Sequence, residues 1–257
     1  MNFSEQWIAL TTIFTKEVRR FTRIWIQTLL PPVITMSLYF VIFGALIGSR
    51  IGEMDGFDYM SFVVPGLIMM SVITNSYSNV VSSFYSAKFQ NSIEELLVSP
   101  TPNYIILLGF VLGGVARGLL IGLIVSLVSF FFIDLHVHNL AVTIAIVFLT
   151  SVLFSLAGLI NAVFANSFDD ISIVPTFVLT PLTYLGGVFY SISLLSEFWQ
   201  SVSQLNPILY MVNAFRYGFL GISDIDISFA FTGVVLFIVI LFIYAMYLLN
   251  NGKRLRS

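Results

Sequence analysis

Six apolar stretches, near residues 26–47, 59–84, 104–132, 140–165, 171–191 and 229–250, constrain this chain more than any other feature. About 20 apolar residues in helical form cross the roughly 30 Å hydrocarbon core of a bilayer. In lipid no water is at hand, so every backbone N–H and C=O has to be satisfied within the structure, and a helix does this by itself. A soluble fold fails on composition: 58% of the residues are apolar and 9% charged, where soluble domains carry about 25% charge. The sequence therefore predicts an all-α integral membrane protein, one domain over residues 1–257, with a six-span bundle over 26–250.

Residues 1–25 precede the first span and do not cross. Phe3, Trp7, Leu10, Phe14, Val18, Phe21 and Trp25 recur at helical spacing, while Lys16, Arg19, Arg20 and Arg23 form a polar side. The pattern predicts an amphipathic interfacial helix with its cations toward anionic headgroups, and an ordinary juxtamembrane anchor has the same pattern. Lys16, Arg19, Arg20, Arg23, Lys88 and the tail cations Lys253, Arg254 and Arg256 fall on one side of the spans; the opposite loops carry only Arg50 and Arg216. By the positive-inside rule both termini, including the tail 251–257, are cytoplasmic. The absence of cysteine and of a small-residue cleavage site fits a bacterial inner membrane.

Two segments between spans carry their own pattern. Ser92 and Glu95 match a capping box, and Phe89, Ile93, Leu96 and Leu97 form an apolar face flanked by Glu94 and Glu95 until Pro100 and Pro102 stop the helix. A cytosolic amphipathic helix too short to span either lies on its own membrane domain or docks in a groove of a partner. On the other side, Leu195, Phe198, Trp199, Val202 and Leu205 predict a short helix dipping into the outer leaflet over 192–206. The fifth span holds Pro175, Pro181 and Gly186-Gly187, which predict a kink or break near its outer end.

The run Lys88–Pro102, KFQNSIEELLVSPTP, resembles the coupling-helix segment of ABC-2 type transporter permeases. Pro175–Tyr190 resembles that family's fifth span, and Trp199–Arg216, with Leu205-Asn206-Pro207 and Asn213-Ala-Phe-Arg216, is similar to its signature after the outer re-entrant helix. The chain departs from the family's usual Leu-Pro before that tryptophan, reading Leu195-Ser-Glu-Phe-Trp199. The resemblance covers essentially the whole chain. It implies the permease subunit of an ATP-driven exporter, pairing with a second copy of itself and with two cytosolic ATPase subunits. Carried over, Ser92, Ile93, Glu94, Glu95, Leu96 and Leu97 are the ATPase-coupling helix, residues 3–25 are the interfacial connecting helix, and spans two and five line the path at the dimer axis.

No Gly-x-x-x-x-Gly-Lys-Ser/Thr run occurs, so the chain carries no phosphate-cradling loop, and ATP would be bound by a partner subunit. No cofactor or catalytic residue is expected. A net charge of −2 offers nucleic acid nothing. The alternative is a secondary transporter without an ATPase, which would need intramembrane acids or paired broken helices, and neither is visible. An integral-membrane enzyme would need a His/Asp/Glu cluster at one membrane face; Asp134, His136 and His138 lie close together but read as an interfacial loop.

Some residues admit two readings. Arg117, inside the third span, either meets an anionic substrate or headgroup, or snorkels or bonds backbone carbonyls. Asn75, Asn79 and Asn161 either line a path or bond between helices. Gly114, Gly118 and Gly122 permit close packing, within the chain or between copies. Asp169-Asp170 is either a second ATPase contact or a cap for the helix beginning near Ile171.

Overall fold

The computed structural model describes residues 1–133 and 137–252. Helix α1 (Phe3–Arg23) leads into α2 (Trp25–Ile51), a first span interrupted at Leu29, where Pro31 lacks a backbone donor, and widened to a π-helix over Val41–Gly48. A two-residue hairpin follows, β1 (Glu53–Met54) against β2 (Phe57–Asp58), antiparallel with Glu53 opposite Asp58. Its turn residues Asp55 and Gly56 both have positive φ, 51° and 80°, the geometry of a two-residue hairpin turn. The hairpin had no counterpart in the sequence reading, because two residues per strand leave no periodicity to detect.

Helix α3 (Tyr59–Phe89) is the axis of the molecule: it is buried along most of its length and contacts α2, α5 and α6. The short α4 (Ser92–Val98) turns back at its C-terminal end. Helices α5 (Asn103–Ser129) and α6 (Leu140–Phe164) pack on α3 and on each other. Next comes α7, a composite of Asp170–Val174, a π turn Pro175–Leu179 and Thr180–Tyr184. Beyond it lie a single 3-10 turn (Ile192–Leu194), α8 (Glu197–Gln204), α9 (Pro207–Leu220) and α10 (Ile227–Asn251).

Among the described residues, five helical stretches are long and apolar enough to cross a membrane: α2, α3, α5, α6 and α10. The expected fifth span, 171–191, is not a sixth such helix. It is helical from Asp170 to Tyr184, widened to a π turn over Pro175–Leu179, with Thr180 donating its hydroxyl to the Pro175 carbonyl at 2.9 Å, and helical structure ends at Tyr184, short of 191. The chain beyond turns at Gly187 (φ 71°) and lays Val188 on the face of α3 at Gly66, where a Cβ would stand 2.6 Å from the Val188 carbonyl oxygen.

The glycine stripe of α5 packs within the chain. A Cβ on Gly114 would meet the Ser155 hydroxyl of α6 and one on Gly118 the Ser76 hydroxyl of α3, so the glycines let three helix backbones close together. By contrast, α10 presents Leu236, Ile240, Ile243 and Tyr247 outward, a surface that hydrocarbon solvates and water does not.

Candidate functional site

At its C-terminal end, α3 stops at Phe89 and Asn91 takes a left-handed conformation (φ 58°) that swings α4 back under the bundle. The capping box expected at Ser92 and Glu95 does not form. Ser92 is the first residue inside the helix, not the residue before it, and its hydroxyl donates to the Ala87 carbonyl at 3.1 Å. The last turn of α3 leaves carbonyls without helical donors, and Ser92 sits closer to these than to the amides of α4.

The faces of α4 also sort differently from the expectation. Ile93 is completely buried, and Leu96 and Leu97 are half-buried against the core. These three hold the helix to its own membrane domain, Ile93 with no surface left exposed and Leu96 and Leu97 with part of theirs. Facing outward are Asn91, Glu95 and Val98, one stripe at i, i+4 and i+7, with Val98 83% exposed. Ser92 and Glu94 lie between the two faces, half-buried.

Neighbouring elements brace this end. The Lys88 ammonium donates to the carbonyls of Val163 and Ala165, both at 2.8 Å, a cation on the C-terminus of α6. Tyr85 and Phe89 hold Phe168 edge-on, at centroid distances of 4.9 and 5.2 Å. Asp170 closes the adjoining turn by accepting from the amides of Asn166 (2.8 Å) and Ser167 (3.2 Å) and from the Ser167 hydroxyl (2.8 Å). Those bonds hold its carboxyl below the usual carboxylate range, the Asn166 amide contributing most. Asp170 thus serves the turn, while Asp169 stays exposed.

Above this lies a polar seam between α1, α3 and α5. Tyr104 donates its hydroxyl to Gln6 at 2.6 Å, Ile13 sits against Gly109 and Glu17 against Gly113. The three contacts advance together along both helices, so α1 lies lengthwise along the first half of α5. Glu17, completely buried, accepts from the Ser83 hydroxyl at 2.7 Å and pairs with the Arg20 guanidinium at 3.4 Å. Arg20 also donates to the carbonyl and side-chain oxygens of Asn79, at 2.8 and 2.9 Å. The expectation that Arg20 reaches for headgroups is corrected: a buried carboxylate draws it into the protein, leaving Lys16, Arg19 and Arg23 exposed.

Arg117 donates to the Thr28 carbonyl at 3.1 Å and to the Asn75 side-chain oxygen at 2.9 Å. Asn75 in turn donates to the Ser71 carbonyl at 3.0 Å. Arg117, Asn75 and Asn79 are therefore joined to helix partners, the interhelical reading of these residues. Asn161 reaches the Ile171 carbonyl at 3.4 Å, in the same mode. A separate cleft of about 200 Å³ lies between α3 and α7, lined by hydroxyls such as Thr74, Ser78, Thr176 and Thr180.

The model of the ABC-2 type transporter family matches residues 8–220, most of the chain. The chain belongs to that family. Among curated proteins it is similar to the inner membrane transport permease YadH of Escherichia coli (strain K12), at 61% identity over 251 residues, 98% of either chain. It is more distantly similar to nodulation protein J of Rhizobium leguminosarum bv. viciae, 22% identical over 215 residues and 83% of either chain. Nodulation protein J of Rhizobium meliloti (strain 1021) is likewise 22% identical, over 216 residues, 84% of this chain and 81% of that one.

The ABC-2 match runs to Leu220, the last residue of α9, and α9 carries the residue that sequence reading misplaced. Arg216 was assigned to an outer loop. It is 1% exposed, its guanidinium 3.8 Å above the Phe62 ring, donating to the carbonyls of Gly187 at 2.6 Å and Phe62 at 3.4 Å. It joins α9, the turn after α7 and the outer part of α3. The helix itself was signalled: Asn206, which accepts from the Ile208 amide at 3.0 Å, precedes Pro207, and Gly221 follows with φ 77°. The predicted outer helix over 192–206 is present in part, as α8.

Asp134, His136 and the tail cations Lys253, Arg254 and Arg256 lie outside the described residues. His138 packs edge-on against Tyr217 at 5.5 Å.

Proposed function

We propose that the chain is the permease subunit of an ATP-binding cassette exporter in a bacterial inner membrane. Two copies cross the bilayer with both termini cytoplasmic, and each receives one cytosolic ATPase on α4. Residues 170–191 complete a sixth crossing as an irregular helix, and α1 lies at the cytosolic edge of the bundle. The observation that carries the reading is α4 itself: a helix anchored by Ile93 at the end of the most buried span, with Asn91, Glu95 and Val98 turned outward. A surface helix built only to cover its own domain has no need of an outward apolar residue beside an acid. Family membership supports transport, and the name of the Escherichia coli relative supports the inner membrane. ATP closes the ATPase pair, the outward stripe of α4 follows, and the cleft between α3 and α7 changes its access. The chain itself carries out no covalent chemistry.

Purification of the tagged protein from its native membrane in mild detergent, followed by mass spectrometry, tests this. A near-stoichiometric soluble protein bearing a phosphate-binding loop is the expected companion. Reproducible absence of such an ATPase from intact, folded permease would overturn the reading in favour of a secondary transporter.

A further inference from the structure

A second cleft is larger than the hydroxyl-lined one beside α7. It lies on the opposite flank, between the ends of α5 and α6 remote from α4, with a volume of about 350 Å³. Ile68, Val147 and Phe215, all buried, form its floor, and Leu123, Phe130, Leu140 and Ile144 form its rim. Those rim residues are 54–61% exposed and belong to, or directly follow, helices long and apolar enough to span. The rim therefore opens toward the hydrocarbon of the bilayer.

Water has nothing to hold there. The two hydroxyls in the lining are already committed within their own helices, Ser126 to the Gly122 carbonyl at 2.7 Å and Thr143 to the Asn139 carbonyl at 2.9 Å. A cavity whose polar groups are used up stays dry, and an empty cleft of this size forfeits the dispersion contacts that close packing provides. What can enter from the rim is hydrocarbon.

We infer that this cleft is a binding site for one acyl chain of a membrane phospholipid, retained by the protein and distinct from the exchanging lipid around it. In the orientation proposed above, the chain belongs to the outer leaflet. It lies against Phe215 and Phe219, which flank Arg216 on α9, so it packs the helix that holds the outer turn in place.

Native mass spectrometry of the full chain, extracted in mild detergent and activated until the micelle is stripped, tests the site. The wild type should keep a phospholipid. Ser126→Trp, which fills the cleft, should lose it, and so should Ile144→Trp at the rim, which is mild enough to fold where the first fails. Leu236→Trp, on the outward face of α10, should keep it. In a chain with Trp7, Trp25 and Trp199 replaced by Phe, Leu123→Trp should be quenched by phosphatidylcholine with brominated chains, and stay quenched on dilution into unlabelled phosphatidylcholine vesicles, while Leu236→Trp recovers. A bare wild type, or full retention by both filling variants, would overturn the proposal. So would a retained molecule that is not a membrane phospholipid, or dissociation of paired copies by Ser126→Trp, which would assign the cleft to a second chain. None of these readouts depends on an ATPase, so failure here leaves the proposed function standing, and the reverse.

Discussion

Val98 and Ile93 sit five residues apart on the same short helix and should respond to substitution in opposite ways. In the proposed orientation the helix lies in water, so burial arithmetic applies. Full burial of a valine side chain is worth about 1.5–3 kcal/mol, and Val98 is 83% exposed in the free subunit, so docking recovers about 1–2.5 kcal/mol there. Val98→Asp should therefore weaken ATPase binding roughly five- to sixtyfold, with Glu95→Arg adding to the loss, and leave thermal unfolding of the isolated permease unchanged. Ile93 is completely buried; Ile93→Ala opens a cavity and should cost about 2–5 kcal/mol of stability. The assay is co-purification of the ATPase at graded salt, beside melting of the permease alone in detergent. Undiminished ATPase recovery with Val98→Asp, or an unchanged melting point with Ile93→Ala, would refute the assignment of inner and outer faces.

Other outcomes follow from the seam and the outer turn. Arg20→Leu alone leaves Glu17, completely buried, without its cation and should destabilise by about 3–5 kcal/mol, whereas Glu17→Leu with Arg20→Leu should melt closer to wild type. The chain has no cysteine, so Gln6→Cys with Tyr104→Cys can be bridged by a bifunctional maleimide; Gly113→Leu, displacing Glu17, should abolish that crosslink. Arg216→Leu strips the Gly187 carbonyl of its donor and should lower the melting point by the equivalent of about 1–3 kcal/mol. Arg216→Lys should recover little, because an ammonium cannot stack on Phe62 and serve two carbonyls. The folded Asp170 carboxyl titrates below its unfolded value, so its contribution is present above the ordinary carboxylate range and lost as pH falls through the depressed value. Amide exchange at Asn166 and Ser167 should accelerate over that acid interval in the wild type and be fast at all pH in Asp170→Ala.

The spans were legible because hydrocarbon demands long apolar runs, and the irregular turn in α7 because Pro175 and Pro181 cannot complete a helical ladder. The inward stripe of α4 was legible too, and packing on its own membrane domain was one of the two readings it allowed. Periodicity identifies which residues share a face, and only the packed structure says whether Ile93 faces the bundle or a partner. Arg20 and Arg216 were misplaced for a related reason. Gly187, which Arg216 reaches, is 29 residues away in sequence; Arg20 has its acid, Glu17, only three residues away, but the Ser83 and Asn79 groups that hold that pair lie 66 and 59 residues from it, and a positive charge counted alone is assigned to water or headgroups. Arg117 escaped that error, since bonding to carbonyls was already one of its two readings. The outer helix α9 was overlooked although Asn206-Pro207 and Gly221 punctuate it, because 14 residues fall short of a span and apolar length had been the main guide.

Helix α3 is uninterrupted by any break from Pro65 to Phe89, and Gly66 lies about 35 Å from its C-terminal end at 1.5 Å per residue. At that end it carries α4; at the other, Phe62 and Gly66 hold Arg216 and Val188. If α4 receives an ATPase as proposed, input and output would sit on the two ends of a single strut. A displacement delivered to α4 would then reach the turn at Gly187 in the same movement, with no slack to be taken up between them. A machine coupled in this way would have no separate gate to time at the far side, and its stroke length there would be set by the tilt of one helix.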